Sequence, residues 1–454
     1  MTETRNLHVL ETEPIGKLLV EYSIPAIIAM TVTSVYNIID SIFIGHGVGP
    51  LAISGLAITF PLMNLIIAFC TLIGVGGAAI SSIYLGQKDD VKATEVLHNV
   101  FILCLIAGVC FGGITWYFLD EILVFFGASE DTLPYARGFM EVLLLGNPVS
   151  FLFIGLNNVM RATGYPKKAM LSSLLTVGVN IVLAPVFIFH LEWGIRGAAL
   201  ATLLAQVCGL GWVLNHFIRT SSYIHFRKGY YKLKRHIMGS IFSIGMAPFL
   251  LNVCASGIVI ILNHSFKTYG GDLAIGAYGI VNRMATLFVM VVIGLTQGMQ
   301  PIVGYNYGAR HFDRVQQTLK KVIFIAVGIM TVGWLLSELL PGHIVAMFSD
   351  DSDLNALAEV GLRIAILSFP MVGAQIVITN FFQSIGKAKI SILLSLARQL
   401  LFLIPLLYIL PHVGNLHIYG VWSSMPIADT ISFTASVITL RWYLRKAKGW
   451  EAKS

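Results

Sequence analysis

Long apolar runs separated by short polar breaks alternate along the whole chain, and their length decides the fold class. A helix needs about 20 apolar residues to cross roughly 30 Å of hydrocarbon. Runs of that size are predicted near 18–40, 52–85, 96–119, 135–160, 169–190, 197–217, 238–263, 273–303, 322–341, 360–384, 390–411 and 418–440. Twelve such helices describe an all-α membrane protein. Composition agrees, with 56% of the 454 residues hydrophobic and 12% charged, against about 25% charged in a soluble domain. The polar residues Met1 to Lys17, which include Glu11 and Glu13, lack the basic stretch and cleavage site of a leader, so the first helix is expected to be retained.

The net charge of +7 would suit a nucleic-acid partner if it formed one basic face. Instead the basic residues fall in alternate connections, with only Arg137, Arg196, Lys267, Arg283, Arg363 and Arg398 outside them. The opposite connections carry acidic clusters, Asp120 to Asp131 and Asp350 to Asp353. By the positive-inside rule this predicts a multi-pass protein of the cell inner (plasma) membrane with both termini cytoplasmic, its partner a lipid bilayer and not nucleic acid. Cys70, Cys104, Cys110, Cys208 and Cys254 lie in apolar runs without metal-ligand spacing and read as small core residues.

The sequence repeats itself at an offset of 222. Gly49, Gly76, Gly86, Asp131, Pro148, Asn158, Gly164 and Lys167 recur as Gly271, Gly298, Gly308, Asp353, Pro370, Asn380, Gly386 and Lys389. Two six-helix lobes are therefore expected, residues 1–218 and 238–454, joined by a basic linker at 219–237. Six spans bring the chain back to its starting side, so the lobes should be related by a pseudo-two-fold axis along the membrane normal, with a central site between them. The linker, with Tyr223, Phe226, Tyr230 and Tyr231 among its cations, is expected to lie on anionic lipid.

Ionisable groups inside a bilayer are costly, which makes the few present the natural candidates for function. Asp40 stands with Thr33, Tyr36 and Asn37 on one face of the first helix, four turns after Pro25, a candidate hinge. At the repeat offset its counterpart is Leu262. Asn157 and Asn158, Thr176 and Asn180, and Thr202 and Gln206 are further polar groups at helical spacing. Tyr36, Asn37, Asn157 and Gln206 are the ones expected to meet a substrate. Aligning Gly197 with Gly420 puts Asp429 opposite Gln206, making it a secondary candidate acid, with Arg283 and Arg398 as intramembrane cations and Asp429 a possible partner for them. Glu141 and Glu338 read as interfacial. No catalytic triad, Cys/His cluster or P-loop is present in the sequence, so no enzyme, ATP drive, cofactor or metal is expected.

The segments YNIIDSIFIGHG (Tyr36 to Gly47), NNVMRATGYPKKAM (Asn157 to Met170), GAALAT (Gly197 to Thr202), QPIVGYNYGA (Gln300 to Ala309) and FFQSIGKAK (Phe381 to Lys389), together with Pro25 and the two-lobe repeat, resemble the multidrug and toxic compound extrusion (MATE) family, in particular its MepA-like bacterial branch. The resemblance implies a monomeric secondary antiporter exporting small organic cations or drugs, with protons as the coupling ion and sodium as the alternative. It also implies that Asp40 couples ion entry through a network whose matching positions include Asn180 and Thr202. Where relatives commonly carry NxxxDP on the fifth helix, this chain has Ala184 before Pro185, so a second acid of that network is missing. A lipid-linked oligosaccharide flippase of the same broad architecture is the alternative, and it would need a basic cavity, for which Arg283 and Arg398 are the available cations.

Overall fold

The computed structural model describes residues 9–48, 50–219, 224–347 and 352–451, and among them there is no strand. Twelve long elements follow one another: α1 Ile15–Gly47, α2 Pro50–Gly86, α3 Asp90–Tyr117, α4 from Leu133–Leu145 and Asn147–Ala162, α5 Pro166–Pro185, and α6 Gly194–Ile218. The second set is α7 Arg235–Gly271, α8 Leu273–Gly308, α9 Phe312–Leu339, α10 from Ser352–Ala365 and Phe369–Ser384, α11 Ala388–Gly414, and α12 His417–Glu451. Each set of six forms one lobe. Among the described residues nine helices are long and apolar enough to span a membrane alone, and α4 and α10 do so as bent pairs. The exception is α12, whose buried face carries Ser424, Asp429, Ser432 and Ser436 and lowers its apolarity.

The repeated residues explain the repeated breaks. α4 bends by 59° and α10 by 54°, in each case where a proline, Pro148 or Pro370, opens the second segment and cannot donate to the turn before it. Both helices also end alike. Gly164 and Gly386 adopt φ values of 100° and 74°, and the next amides, Tyr165 and Lys387, return to the Met160 and Phe382 carbonyls at 3.2 and 2.8 Å. Such a left-handed cap suits glycine, which has no Cβ to clash. In α5 the missing donor of Pro185 passes the chain into a π turn, Val186–His190. Pro25 lies inside an unbroken α1.

The lobes meet backbone to backbone. A methyl group on Gly86 would sit 1.9 Å from the Tyr305 carbonyl oxygen, and one on Gly308 would sit 2.1 Å from that of Ile83. These two contacts interchange under the repeat offset, so the pseudo-two-fold axis passes between α2 and α8. Further along, Gly76 faces the Ile241 carbonyl and Gly245 that of Leu72 just as closely, while Gly298 packs on Ser23. Glycines permit this approach because nothing projects from the helix surface there. The seam lies toward the ends of the helices that carry the basic connections.

The linker is held by protein. His98 Nε2 accepts the Arg227 amide at 3.1 Å, Asn99 Oδ1 accepts the Lys234 amide at 2.9 Å, and Glu95 accepts Lys234 Nζ. Ile224 is buried, and Phe226 packs against His98, Phe101 and Phe217. The aromatic side of this segment therefore faces α3 and α6, not lipid. Helix α7 takes over at Arg235.

Candidate functional site

Three N-lobe helices bring the predicted polar residues together. On α6, Thr202 donates its hydroxyl proton to the Ala198 carbonyl at 3.1 Å. Its oxygen is then free to accept, and it does so from Asn180 Nδ2 on α5 at 2.9 Å and from the Tyr36 hydroxyl on α1 at 3.3 Å. Asp40 stands one turn after Tyr36. Its Oδ1 is buried without a hydrogen-bond partner, and so is Oδ1 of Asn180. Two unpartnered acceptors thus border one three-helix network. Ala184, a turn beyond Asn180, is fully buried. Close packing of α1 on the end of α5 continues to Gly47, where an added methyl would collide with Ile188 Cγ2.

The other sequence-selected residues have different surroundings. Gln206 accepts from Ser150 between α6 and α4. Asn157 is 5% exposed and donates to Ser172 Oγ at 2.5 Å and the Ala169 carbonyl at 3.1 Å, so it ties α4 to α5. Thr33 and Thr176 return their hydroxyls to their own helices, at Ala29 and Ser172. The side chain of Asn37 lies outside the described residues, as do Arg5, Gly49 and Asp350.

In the C lobe, Asp429 on α12 is 4% exposed and forms an ion pair with Arg398 Nε on α11 at 2.5 Å, while its second oxygen accepts from Ser368 at 2.9 Å. Ser368 occupies the bend of α10, and Arg398 the π turn Ala397–Leu403. The acid is fully engaged by side chains of its own lobe. Arg283, exposed on α8, does not join it. Gln375 donates to Ser432 at 2.6 Å one turn deeper.

One residue missed in the sequence is Arg161. It reads there as a connection charge beside Lys167 and Lys168. In the fold it is 9% exposed at the end of α4, with Nη1 donating across the seam to Gln297 Oε1 on α8 and Nη2 to Asn157 Oδ1 at 3.3 Å. The only local signal was its place before the Gly164 turn, which puts it on the last helical turn.

Comparison with known proteins settles the lineage. The profile of the MatE family matches residues 25–186 and again 248–409. The chain belongs to the MatE family. It is 30% identical over 427 residues to the multidrug export protein MepA of Staphylococcus haemolyticus, covering 94% of this chain and 93% of that one. Among solved structures, a MATE protein in the bent conformation superposes with a TM-score of 0.94 at 25% identity, covering 99% of this chain and all of the other. The MATE multidrug transporter DinF-BH, in complex with a drug, superposes with a TM-score of 0.87 at 34% identity, over 95% and 96% of the two chains. As a MatE protein the chain is a multi-pass membrane transport protein of the multidrug efflux class, not an enzyme.

The two MatE matches also refine the repeat. They begin at Pro25 and Pro248, so α1 and α7 correspond one residue out of step with the glycines that follow. Counted from the prolines, Asp40 corresponds to Asn263, and counted from Gly271, to Leu262. In either register the MatE C lobe has a neutral residue there.

Proposed function

We propose that this MatE protein is a secondary active efflux antiporter that exports cationic, amphipathic compounds in exchange for protons, by alternating access between two rocking lobes. The observation that carries the reading is the buried, unpartnered Oδ1 of Asp40 beside the Tyr36–Thr202–Asn180 network. A buried carboxylate oxygen without a donor is costly. A proton or a cationic compound relieves that cost. Protonation converts Asp40 from acceptor to donor, while Asn180 Oδ1 supplies an acceptor still in need of one. A cation and a proton then compete for one acid, and such competition couples their fluxes when each binds the two lobe arrangements unequally.

The relatives support the substrate class, since MepA is named a multidrug export protein and the DinF-BH structure is that of a drug complex. The Arg398–Asp429 pair weighs against the flippase alternative. It leaves Arg398 already neutralised, and Arg283 is the remaining candidate for binding a pyrophosphate. The proposal takes residues 1–218 and 238–454 as the two lobes of a monomer in the inner (plasma) membrane, with cytoplasmic termini and linker.

Flux of a fluorescent lipophilic cation in proteoliposomes tests it. An inward-directed proton gradient should drive the preloaded cation outward, and Asp40→Asn should reduce that flux to near background while insertion is normal. Flux that follows a sodium gradient alone, or a preference for a comparable anion, would reject the proton-coupled cation reading.

A further inference from the structure

The buried guanidinium of Arg161 is a charge at the lobe seam without a countercharge. Its described partners are the neutral amides Gln297 and Asn157, and Asn157 is itself anchored to Ser172 and Ala169. Gln297 precedes Gly298, one of the seam glycines, and Gln300 on the same helix donates to the Val75 carbonyl across the seam at 3.4 Å. At the repeat offset Arg161 corresponds to Gln383 and Gln297 to Val75. The second lobe therefore has no charge in the matching place, and the seam is asymmetric by one cation.

A charge taken out of water and offered only neutral partners recovers part of its hydration energy and not the rest. Five guanidinium donors face two acceptors here. The deficit exists while the seam is shut and disappears when parting lobes admit water. We propose that Arg161 is the gating residue of the seam: its dehydrated charge opposes closure at the basic end and biases the lobes toward parting there. This inference rests on the rocking motion proposed above. The competing view of the same bond is a latch, in which Arg161 and Gln297 hold the seam shut. The two views differ in sign for one substitution, because removing the arginine removes both the bond and the burdened charge.

The test uses the full-length protein in lipid, with its five cysteines replaced and spin labels at Gln87 and Asp313, exposed positions just beyond α2 and α8. Pulsed electron resonance then reads the ratio of short to long separations. Arg161→Met should raise the short, closed population at least fivefold. Gln297→Leu, which keeps the charge and deletes its partner across the seam, should raise the long population by a similar factor. Arg161→Lys should stay within twofold of wild type. A longer separation in Arg161→Met is the latch result and overturns the proposal, as does an unchanged ratio in that variant. If Arg161→Met fails to insert, Arg161→Gln, which copies the neutral residue of the second lobe, carries the same expectation. No transported compound is needed for the distances. Loss of drug flux with this pattern intact counts against the transport reading and supports the gate.

Discussion

Arg398 Nε lies 2.5 Å from Asp429 Oδ1 between α11 and α12, and this pair separates the two acids that the apolar runs made equally conspicuous. Asp429 has its charge balanced and its second oxygen hydrogen-bonded by Ser368, whereas Asp40 has a buried oxygen with neither. The first arrangement fixes a structure. The second leaves a group that gains by binding something.

Asp429→Asn should therefore act on stability more than on coupling. It leaves Arg398 as an uncompensated cation next to a neutral amide, a change worth about 3 kcal/mol at the low end of such losses, since Arg398 is about one third exposed. The expected result is a lower unfolding midpoint in detergent, with gradient-driven flux per folded molecule close to wild type. Replacing both partners by leucine should recover most of the midpoint. Abolished coupling in a normally stable Asp429→Asn protein would move the coupling site to the C lobe.

In Ala184→Asp, a second carboxylate enters α5 one turn from Asn180. Like charges disfavour joint ionisation, so the pair should hold a proton to higher pH than Asp40 alone, and the pH profile of exchange should shift upward by about one unit. Flux measured from about pH 5.5 to 8.5 under a constant gradient reads the shift. A downward or absent shift would place the new acid out of reach of Asp40. Because Ala184 is fully buried, lower expression is expected alongside.

Gly86→Ala and Gly308→Ala should have matching effects, because their added methyls meet the carbonyls of Tyr305 and Ile83 at 1.9 and 2.1 Å. Neither carbonyl can turn aside without breaking its helix. Both variants should lose most transport while still inserting, and Gln87→Cys in either background should react faster with a water-soluble maleimide. Gly113→Ala, with nothing within 4 Å, should be silent.

Asn99→Leu removes the acceptor of the Lys234 amide and should loosen the linker from α3. Limited trypsin digestion reads this directly. Cleavage after Arg227 or Lys228 should accelerate severalfold with no change in unfolding midpoint of the lobes. Equal cleavage rates would mean that His98 and the Phe226 cluster hold the segment unaided.

The spans, the two lobes and the repeated glycines were legible because hydropathy and backbone geometry are local properties. Pro148, Pro370, Gly164 and Gly386 mark bends and caps that need only a few neighbouring residues to explain. The network of Tyr36, Asn180 and Thr202 was reachable through a family resemblance, since side chains 166 residues apart leave no periodicity to connect them. Arg161 was hidden for the opposite reason. Lying among connection lysines, it has the spacing of a solvated charge, and only the approach of α8 buries it. The linker was misjudged in a similar way, as its aromatic residues suit a lipid surface and a protein groove equally until His98 and Asn99 are seen to bind its amides.

The glycine seam has an evolutionary consequence. Its opposing surfaces are main-chain carbonyls of Leu72, Ile83, Ile241 and Tyr305, and a carbonyl is the same whatever side chain it belongs to. The bearing on which the lobes turn is thus specified by a few glycines and is indifferent to most other substitutions. Residues lining the space between the lobes are free to drift toward new cargoes without retooling the joint.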